Sequence, residues 1–143
     1  MDSGTTFVEV PGGRVWVEVA GAGSRTPLLL HGGPGVPSFY LEPLRALADE
    51  RPVVFYDQLG CGRSERPDDA SLWTVDRFAA ELATVREALG LAEVHLLGHS
   101  WGTMLALEHI SRGASGIRSL IMASPCIDTE QWVADTRALV AAL

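Results

Sequence analysis

The sequence predicts an α/β fold: a mostly parallel sheet with helices on both faces. Short, wholly apolar segments alternate along the chain with longer segments whose apolar residues recur every three or four positions. The first kind is typical of strands buried on both faces, and the second of amphipathic helices. Their alternation favours parallel β-α-β units. The length of 143 residues and the 47% hydrophobic content fit one globular domain.

The elements follow in order from the N-terminus. Polar and apolar residues alternate on either side of a Pro-Gly-Gly turn, which predicts a β-hairpin from residues 5–10 and 14–20. The apolar runs predict further strands at 27–30, 53–56, 94–97 and 117–123. The apolar periodicity predicts helices at 38–49, 75–89, 102–111 and 131–143. Thr74 is placed to cap the second helix and Gly90 to end it.

Composition excludes several classes of function. Eleven basic and eighteen acidic residues give a formal net charge of −7, so we expect no nucleic-acid partner. All eleven basic residues are arginine, which excludes lysine chemistry. No apolar run approaches the roughly 20 residues of a membrane span, and the first residues lack the features of a signal peptide. Cys61 and Cys126 form neither a disulfide framework nor a C-x-x-C motif, so we expect reduced thiols, no metal site and a cytoplasmic protein.

The pattern G-x-S-x-G occurs at residues 98–102, between a predicted strand and a predicted helix. This is the context of a nucleophile elbow, in which a serine sits on a tight, strained turn. Gly98 and Gly102 would provide the space that the turn needs around Ser100. The start of the helix would also aim unpaired N–H groups at a developing negative charge. The alternative interpretation is an ordinary glycine-rich turn.

A second glycine-rich segment, HGGPG at residues 31–35, follows the first buried strand. Acyl transfer needs two N–H donors where the oxyanion forms. We expect one donor from Trp101, the residue after the serine, and the other from Gly33 in this loop. The segment also fits a simple turn. A phosphate cradle is a third interpretation, but the Walker motif that would support it is not in the sequence.

Three motifs together, HGGPG, DQLGCGRS (57–64) and GHSWGTMLALEH (98–109), resemble the α/β-hydrolase fold family. More narrowly, they resemble its proline iminopeptidase and L-amino acid amidase group. The resemblance covers residues 7–143 and implies that 1–128 form the N-terminal part of the hydrolase core. It implies that 129–143 begin a cap helix, so that the chain stops before the last strands and most of the cap.

The resemblance also implies roles for individual residues. Ser100 would be the nucleophile of a serine hydrolase, and the N–H groups of Gly33 and Trp101 would form the oxyanion hole. His31 would brace the oxyanion loop, supported by Gly32, and the loop 57–64 would shape the floor of the site. A histidine without a role is the alternative for His31. No metal or organic cofactor is implied.

The implied activity is release of an N-terminal residue, preferentially proline, from a small peptide through an acyl-enzyme. An esterase, lactonase or amino-acid amidase acting on amino-acid esters or amides is the alternative on the same fold. Epoxide hydrolases and dehalogenases are disfavoured, because they place aspartate where this chain has Ser100.

The expected acid and base are not found where the family has them. After Ser100 the only histidine is His109, which nine helical residues would carry about 13 Å along the axis. His95 and His99 are expected to pack or face solvent, and Cys61 is not expected to react. Asp128, after the last strand, is a minor candidate for the acid. The chain alone is therefore predicted to be weakly active or inactive. It would be completed by a C-terminal half, or it would self-associate or be a non-catalytic truncated fragment.

Overall fold

The computed structural model describes residues 3–142, and their six strands form one sheet. The strands are β1 (Gly4–Val10), β2 (Gly13–Ala20), β3 (Pro27–Leu30), β4 (Val53–Tyr56), β5 (Val94–His99) and β6 (Ile117–Ala123). Their order in the sheet is β1-β2-β4-β3-β5-β6. The hairpin β1–β2 and the β2–β4 pair are antiparallel, whereas β4–β3, β3–β5 and β5–β6 are parallel. The predicted mostly parallel α/β sheet is confirmed.

Three α-helices and two 3₁₀-helical segments connect the strands. The α-helices are α1 (Val75–Ala88), α2 (Trp101–Ser111) and α3 (Thr129–Ala141), and the 3₁₀ segments are Ser38–Asp49 and Ala70–Leu72. The helix predicted at 38–49 has the expected bounds but is 3₁₀ throughout. Pro43 lies inside it, and a proline removes the N–H that an α-helical turn needs. Within residues 3–142 no helix is both long enough and apolar enough to cross a membrane.

The predicted ends of α1 are confirmed. The Thr74 side chain accepts a hydrogen bond from the Arg77 N–H at 3.2 Å, which satisfies one unpaired donor of the first turn. After the helix, Gly90 takes φ +64°, the left-handed conformation that ends helices and that glycine adopts without penalty.

Two apolar layers cover the sheet. On one face α1 packs against the hairpin, whose Val15 and Val17 are fully buried, and α2 packs beside it against β5. On the other face the 3₁₀ segment 38–49 packs against Trp16 and Phe55. The two faces of β2 therefore separate its valines from Trp16, as its alternation predicts.

The topology gathers three loops at one edge. Strands β4, β3 and β5 are adjacent and parallel. Their carboxyl ends therefore lie together, and the loops that follow them begin at residues 57, 31 and 100. In open α/β sheets this is the edge at which ligands bind.

The last strand of the sheet order, β6, is poorly covered. Strand β6 is the edge strand, and its Ile121 and Met122 are 55% and 46% exposed. All the described side chains of α3 are exposed, so its predicted apolar face, which includes Trp132 and Leu139, has no cover within residues 3–142. Leu143, also predicted on that face, lies outside the described residues.

We expect the isolated chain to self-associate through β6, because an apolar edge strand is a template for pairing with another chain. Ile121→Lys should lower the associated fraction, since lysine on an edge strand opposes pairing. Ile127→Lys is the matched control: Ile127 is 64% exposed but lies outside the sheet. Size-exclusion chromatography with light scattering measures the fraction. A clean wild-type monomer of 15.3 kDa, or equal effects of both substitutions, would contradict the expectation.

Candidate active site

Ser100 occupies the turn between β5 and α2. Its backbone angles are φ 52° and ψ −119°, which are unfavourable for a residue with a side chain. Within residues 3–142 only Ser124 shares a positive φ among residues other than glycine. Strain of this kind costs roughly 1–3 kcal/mol and persists only where the surroundings enforce it. The serine therefore sits on the tight strand-to-helix turn that the motif predicts.

Gly98 and Gly102 are needed for close approach rather than for unusual backbone angles. A Cβ atom on Gly102 would overlap the carbonyl oxygen of Leu30 at the end of β3. A Cβ atom on Gly98 would lie 2.5 Å from the carbonyl oxygen of Gly102. Backbone atoms cannot move aside as a flexible side chain can, so both positions require glycine.

The loop after β3 lies directly against this turn. Leu30 is paired with Gly98 in the sheet, and a Cβ atom on Gly32 would be 3.2 Å from the Cβ of Ser100. The Gly32 N–H already donates a hydrogen bond to the Tyr40 hydroxyl at 2.7 Å. Of the two glycines, Gly33 is therefore the one whose N–H is not already engaged.

The N–H groups of Gly33 and Trp101 are the two expected donors, and both are unengaged in the part of the chain that the structure describes. Gly33 has φ +119°, and a Cβ atom on it would lie 2.5 Å from the Gly35 nitrogen. Within residues 3–142 we find no hydrogen-bond acceptor for its N–H or for that of Trp101, which opens α2. N–H groups in the first turn of a helix have no partner inside the helix.

His31 is fully buried and joins the loop after β3 to the loop after β4. Its Nε2 accepts a hydrogen bond from the Gln58 N–H at 2.9 Å, which leaves Nδ1 to donate to the Gly32 carbonyl. Burial disfavours the imidazolium and lowers the pKa of His31. A neutral His31 with both nitrogens engaged has the geometry of a brace for the loop 31–35.

Gln58 is a site residue that sequence reasoning missed. Its side-chain amide donates to the His31 carbonyl at 3.0 Å and accepts from the Trp101 indole N–H at 3.0 Å. Gln58 is fully buried, so these bonds hold the loops after β4 and β3 to the start of α2. Its place directly after Asp57 in the motif DQLGCGRS was the available signal.

Tyr40 and His99 form a second link that the sequence did not indicate. The Tyr40 hydroxyl accepts from the Gly32 N–H, and it lies 2.8 Å from Nδ1 of His99. The hydroxyl and that nitrogen share a hydrogen bond. The His99 side chain is therefore hydrogen-bonded to Tyr40 beside the loop 31–35 rather than directed to solvent.

Asp57 organises the floor of the site. Its buried carboxylate accepts hydrogen bonds from the Ser38 N–H and hydroxyl and from the Arg63 N–H and Nε, at 2.7 to 3.0 Å. Burial by itself would raise the pKa of Asp57, but the hydrogen bonds from Arg63 and Ser38 outweigh it and hold the pKa below its usual value. Arg63 in turn stacks on the Trp16 ring. Asp57 thus joins the loop 57–64 to the start of the 3₁₀ segment 38–49.

Cys61 lies in the same loop, 3.6 Å from Nε2 of His31. Burial, with lesser contributions from Asp57 and Glu81, raises the pKa of its thiol to about 12. Since the thiolate is the nucleophilic form, this cysteine is held in its unreactive form.

None of the four histidines is hydrogen-bonded to Ser100 within residues 3–142. His31 and His99 have the partners described above, and His95 contacts the Ser119 hydroxyl at 2.8 Å. His109, near the far end of α2, accepts from the Arg86 guanidinium at 2.8 Å. The Asp128 carboxylate caps α3 by accepting from the Gln131 N–H, which gives it a local structural role.

The arrangement is a hydroxyl group beside two unengaged N–H donors at the carboxyl edge of a parallel sheet. Such donors stabilise the negative charge that forms when a nucleophile adds to a carbonyl group. Within residues 3–142 no three histidine, cysteine, aspartate or glutamate side chains are grouped as metal ligands.

Comparison with known proteins identifies relatives of this chain. The family described as the alpha/beta hydrolase fold matches residues 28–142. The proline iminopeptidase of Heyndrickxia coagulans is 50% identical over 133 residues, which cover 92% of this chain and 46% of that protein. The proline iminopeptidase of Lactiplantibacillus plantarum is 46% identical over 121 residues, which cover 82% of this chain and 42% of that protein.

Solved structures also match this chain. The crystal structure of the Mycobacterium smegmatis proline iminopeptidase matches with a TM-score of 0.89 and 36% identity, over 98% of this chain and 50% of that one. The structure of VinJ matches with a TM-score of 0.91 and 35% identity, over 100% and 51%. The chain thus spans about half the length of the relatives that it matches.

His109 should make the folded chain sensitive to mild acid. Burial and the neighbouring Arg86 charge lower its pKa to about 4, whereas an unfolded histidine titrates near 6.5. Between these values the unfolded state binds a proton that the folded state does not. The free energy of unfolding should therefore fall by about 1–3 kcal/mol as pH drops from 6.5 to 4.

Urea unfolding of the wild type and His109→Gln across this range measures the effect. Glutamine can still accept from Arg86, and the difference between the two curves isolates His109 from other titrating groups. If the free energy of unfolding of both proteins changed with pH in the same way, the expectation would be contradicted.

Proposed function

The chain belongs to the α/β-hydrolase fold family, and we propose that it carries the nucleophile and oxyanion hole of a serine hydrolase. The proposed reaction releases an N-terminal residue, preferentially proline, from small peptides. The observation that carries the proposal is the strained Ser100 turn beside the unengaged N–H groups of Gly33 and Trp101.

In the proposed reaction the Ser100 Oγ attacks the scissile carbonyl carbon while a general base takes its proton. The carbonyl oxygen becomes an oxyanion and accepts hydrogen bonds from Gly33 and Trp101. The C–N bond then breaks, and the amine leaves with the proton that the base returns. Water hydrolyses the ester left on Ser100 and regenerates the hydroxyl group.

Strain supports the nucleophilic role of Ser100 over a structural one. A serine that only capped α2 would accept a hydrogen bond from the first turn with its side chain, as Thr74 and Asp128 do in α1 and α3. Ser100 makes no such bond, although it precedes α2 directly. The unfavourable backbone angles of Ser100 are therefore not explained by capping of α2. This supports a role for Ser100 in the reaction.

The general base and the acid that orients it are, in this proposal, supplied from outside the 143 residues. Each histidine of the chain is engaged with a partner other than Ser100. The relatives are about twice as long as this chain, which supports a second half that completes the site. The preference for proline rests on the name that those relatives carry.

A chimera tests the proposal directly. This chain is joined to the part of the Heyndrickxia coagulans relative that lies beyond the matched region. We expect the chimera to hydrolyse L-proline 4-nitroanilide. The isolated chain should show little or no turnover, because it lacks a base for Ser100.

Ser100→Ala in the chimera should lower kcat by at least about 10⁴-fold, since the acyl-enzyme cannot form. Ser124→Ala is the matched control, because Ser124 also has a positive φ but follows the edge strand β6. Circular dichroism checks that each variant is folded. Turnover that survives in a folded Ser100→Ala chimera, or steady turnover by the isolated wild-type chain that Ser100→Ala abolishes, would contradict the proposal.

A further inference from the structure

Arg77 and Glu81 form an ion pair inside the fold, one turn apart on α1. The Glu81 side chain is fully buried, and the Arg77 side chain is 6% exposed. Two of their polar atoms, Arg77 Nη2 and Glu81 Oε1, have no hydrogen-bond partner within residues 3–142. The attraction between two buried charges offsets the loss of their hydration only when the remaining polar atoms are bonded as well. Stability alone therefore does not account for this pair.

The Glu81 side of the pair holds the loop after β4. Its Oε2 accepts a hydrogen bond from the buried Leu59 N–H at 3.2 Å. Leu59 follows Gln58, whose side-chain oxygen accepts from the Trp101 indole N–H at 3.0 Å. A displaced Leu59 would move Gln58, because the two residues share a peptide bond. One set of contacts thus runs from Glu81 to the indole of Trp101.

The Arg77 side of the pair reaches the same indole through Phe78. The Arg77 guanidinium lies 3.9 Å from the centre of the Phe78 ring, and its Nε donates to the Leu72 carbonyl at 2.8 Å. The Phe78 ring packs edge-to-face against the Trp101 ring with 5.5 Å between ring centroids. A second set of contacts thus runs from Arg77 to Trp101.

Trp101 is the residue on which both sets of contacts converge. It follows Ser100 and opens α2, and its N–H is one of the two proposed oxyanion donors. A side chain held on two sides restricts the backbone that carries it. Donors of this kind must stay within about 0.5 Å of the productive geometry to act on a developing charge.

We propose that the buried Arg77–Glu81 pair is a positioning element that holds Trp101 in place for the reaction. It acts through the loop after β4 and through Phe78. Both charged residues act on the reaction through Trp101, so they are positioning residues and not catalytic ones. The effect on catalysis rests on the proposed hydrolase function, whereas the hold on Trp101 is measurable without turnover.

Replacing both charged residues tests the role without leaving a lone charge in the core. The double variant Arg77→Met/Glu81→Leu keeps side chains of similar size, and apolar replacement of a buried ion pair is often neutral for stability. The matched control is Arg112→Met/Glu108→Leu, which removes a more exposed pair of the same i,i+4 spacing at the C-terminal end of α2. If the core variant fails to fold, Glu81→Gln takes its place, because glutamine retains the size and one oxygen acceptor.

Hydrogen–deuterium exchange of the Trp101 indole N–H, followed by NMR, measures the hold directly. A pH of about 8.5 keeps Glu81 ionised, because burial raises its pKa to about 7. The core variant should exchange this indole proton at least tenfold faster than the wild type, while the Leu29 N–H in β3 keeps its rate. The control variant should change neither rate. The same exchange is measured in the chimera if the isolated chain associates.

Kinetics of the chimera measure the effect on the reaction. With L-proline 4-nitroanilide, the core variant should lower kcat at least tenfold and change KM less than threefold, because oxyanion donors act mainly on the transition state. The control variant should leave both constants unchanged.

Three results would overturn the proposal: equal acceleration of exchange at Trp101 and Leu29, which indicates general loosening, unchanged indole exchange in a folded core variant, or equal effects of the core and control variants. Unchanged kcat in a folded, active core variant would overturn its catalytic part. Failure of the hydrolase proposal is separate, since it appears as a wild-type chimera without turnover, or as turnover that survives Ser100→Ala, and leaves the exchange measurement intact.

Discussion

The close approach of the α2 backbone to the ends of β3 and β5 is the constraint on which the rest of the site depends. Gly102 lies against the carbonyl oxygen of Leu30, and Gly98 lies against Gly102. This contact brings the first turn of α2 to the loop 31–35 and forces Ser100 into its strained conformation. The two glycines, Gly98 and Gly102, thus determine where the Ser100 hydroxyl group lies relative to the loop 31–35.

A network of buried and partly buried hydrogen bonds holds the loops in place. Gln58 joins His31 to the Trp101 indole, Tyr40 joins Gly32 to His99, and Asp57 anchors the floor. His31, Gln58 and Asp57 are fully buried, so a lost partner there would leave an unsatisfied polar group, which costs about 1–3 kcal/mol. The loops are therefore preorganised, which is what stabilisation of an oxyanion requires.

Local patterns predicted the strands, the α1 cap at Thr74 and the strand–serine–helix order, because each depends on neighbours in the chain. Residues distant in sequence determine the rest. The contacts of Gln58 with His31 and of Tyr40 with His99 span 27 and 59 positions, and no local periodicity reports them. The helix type at 38–49 also escaped prediction, since the leucines at positions 41, 44 and 47 recur every third residue, a spacing that fits a 3₁₀ helix as well as one face of a short α-helix. The roles of Ser100, Gly33 and Trp101 stay predictions.

Covalent labelling tests the central claim, that Ser100 is a nucleophile held ready by this edge of the sheet. The chimera is incubated with a fluorophosphonate, whose phosphorus bonds to an activated serine oxygen as fluoride leaves, and its peptides are mapped by mass spectrometry. The account predicts one adduct, on the peptide and residue that correspond to Ser100, and loss of turnover in proportion to labelling. An adduct on another serine, or complete labelling of Ser100 with turnover undiminished, would contradict it.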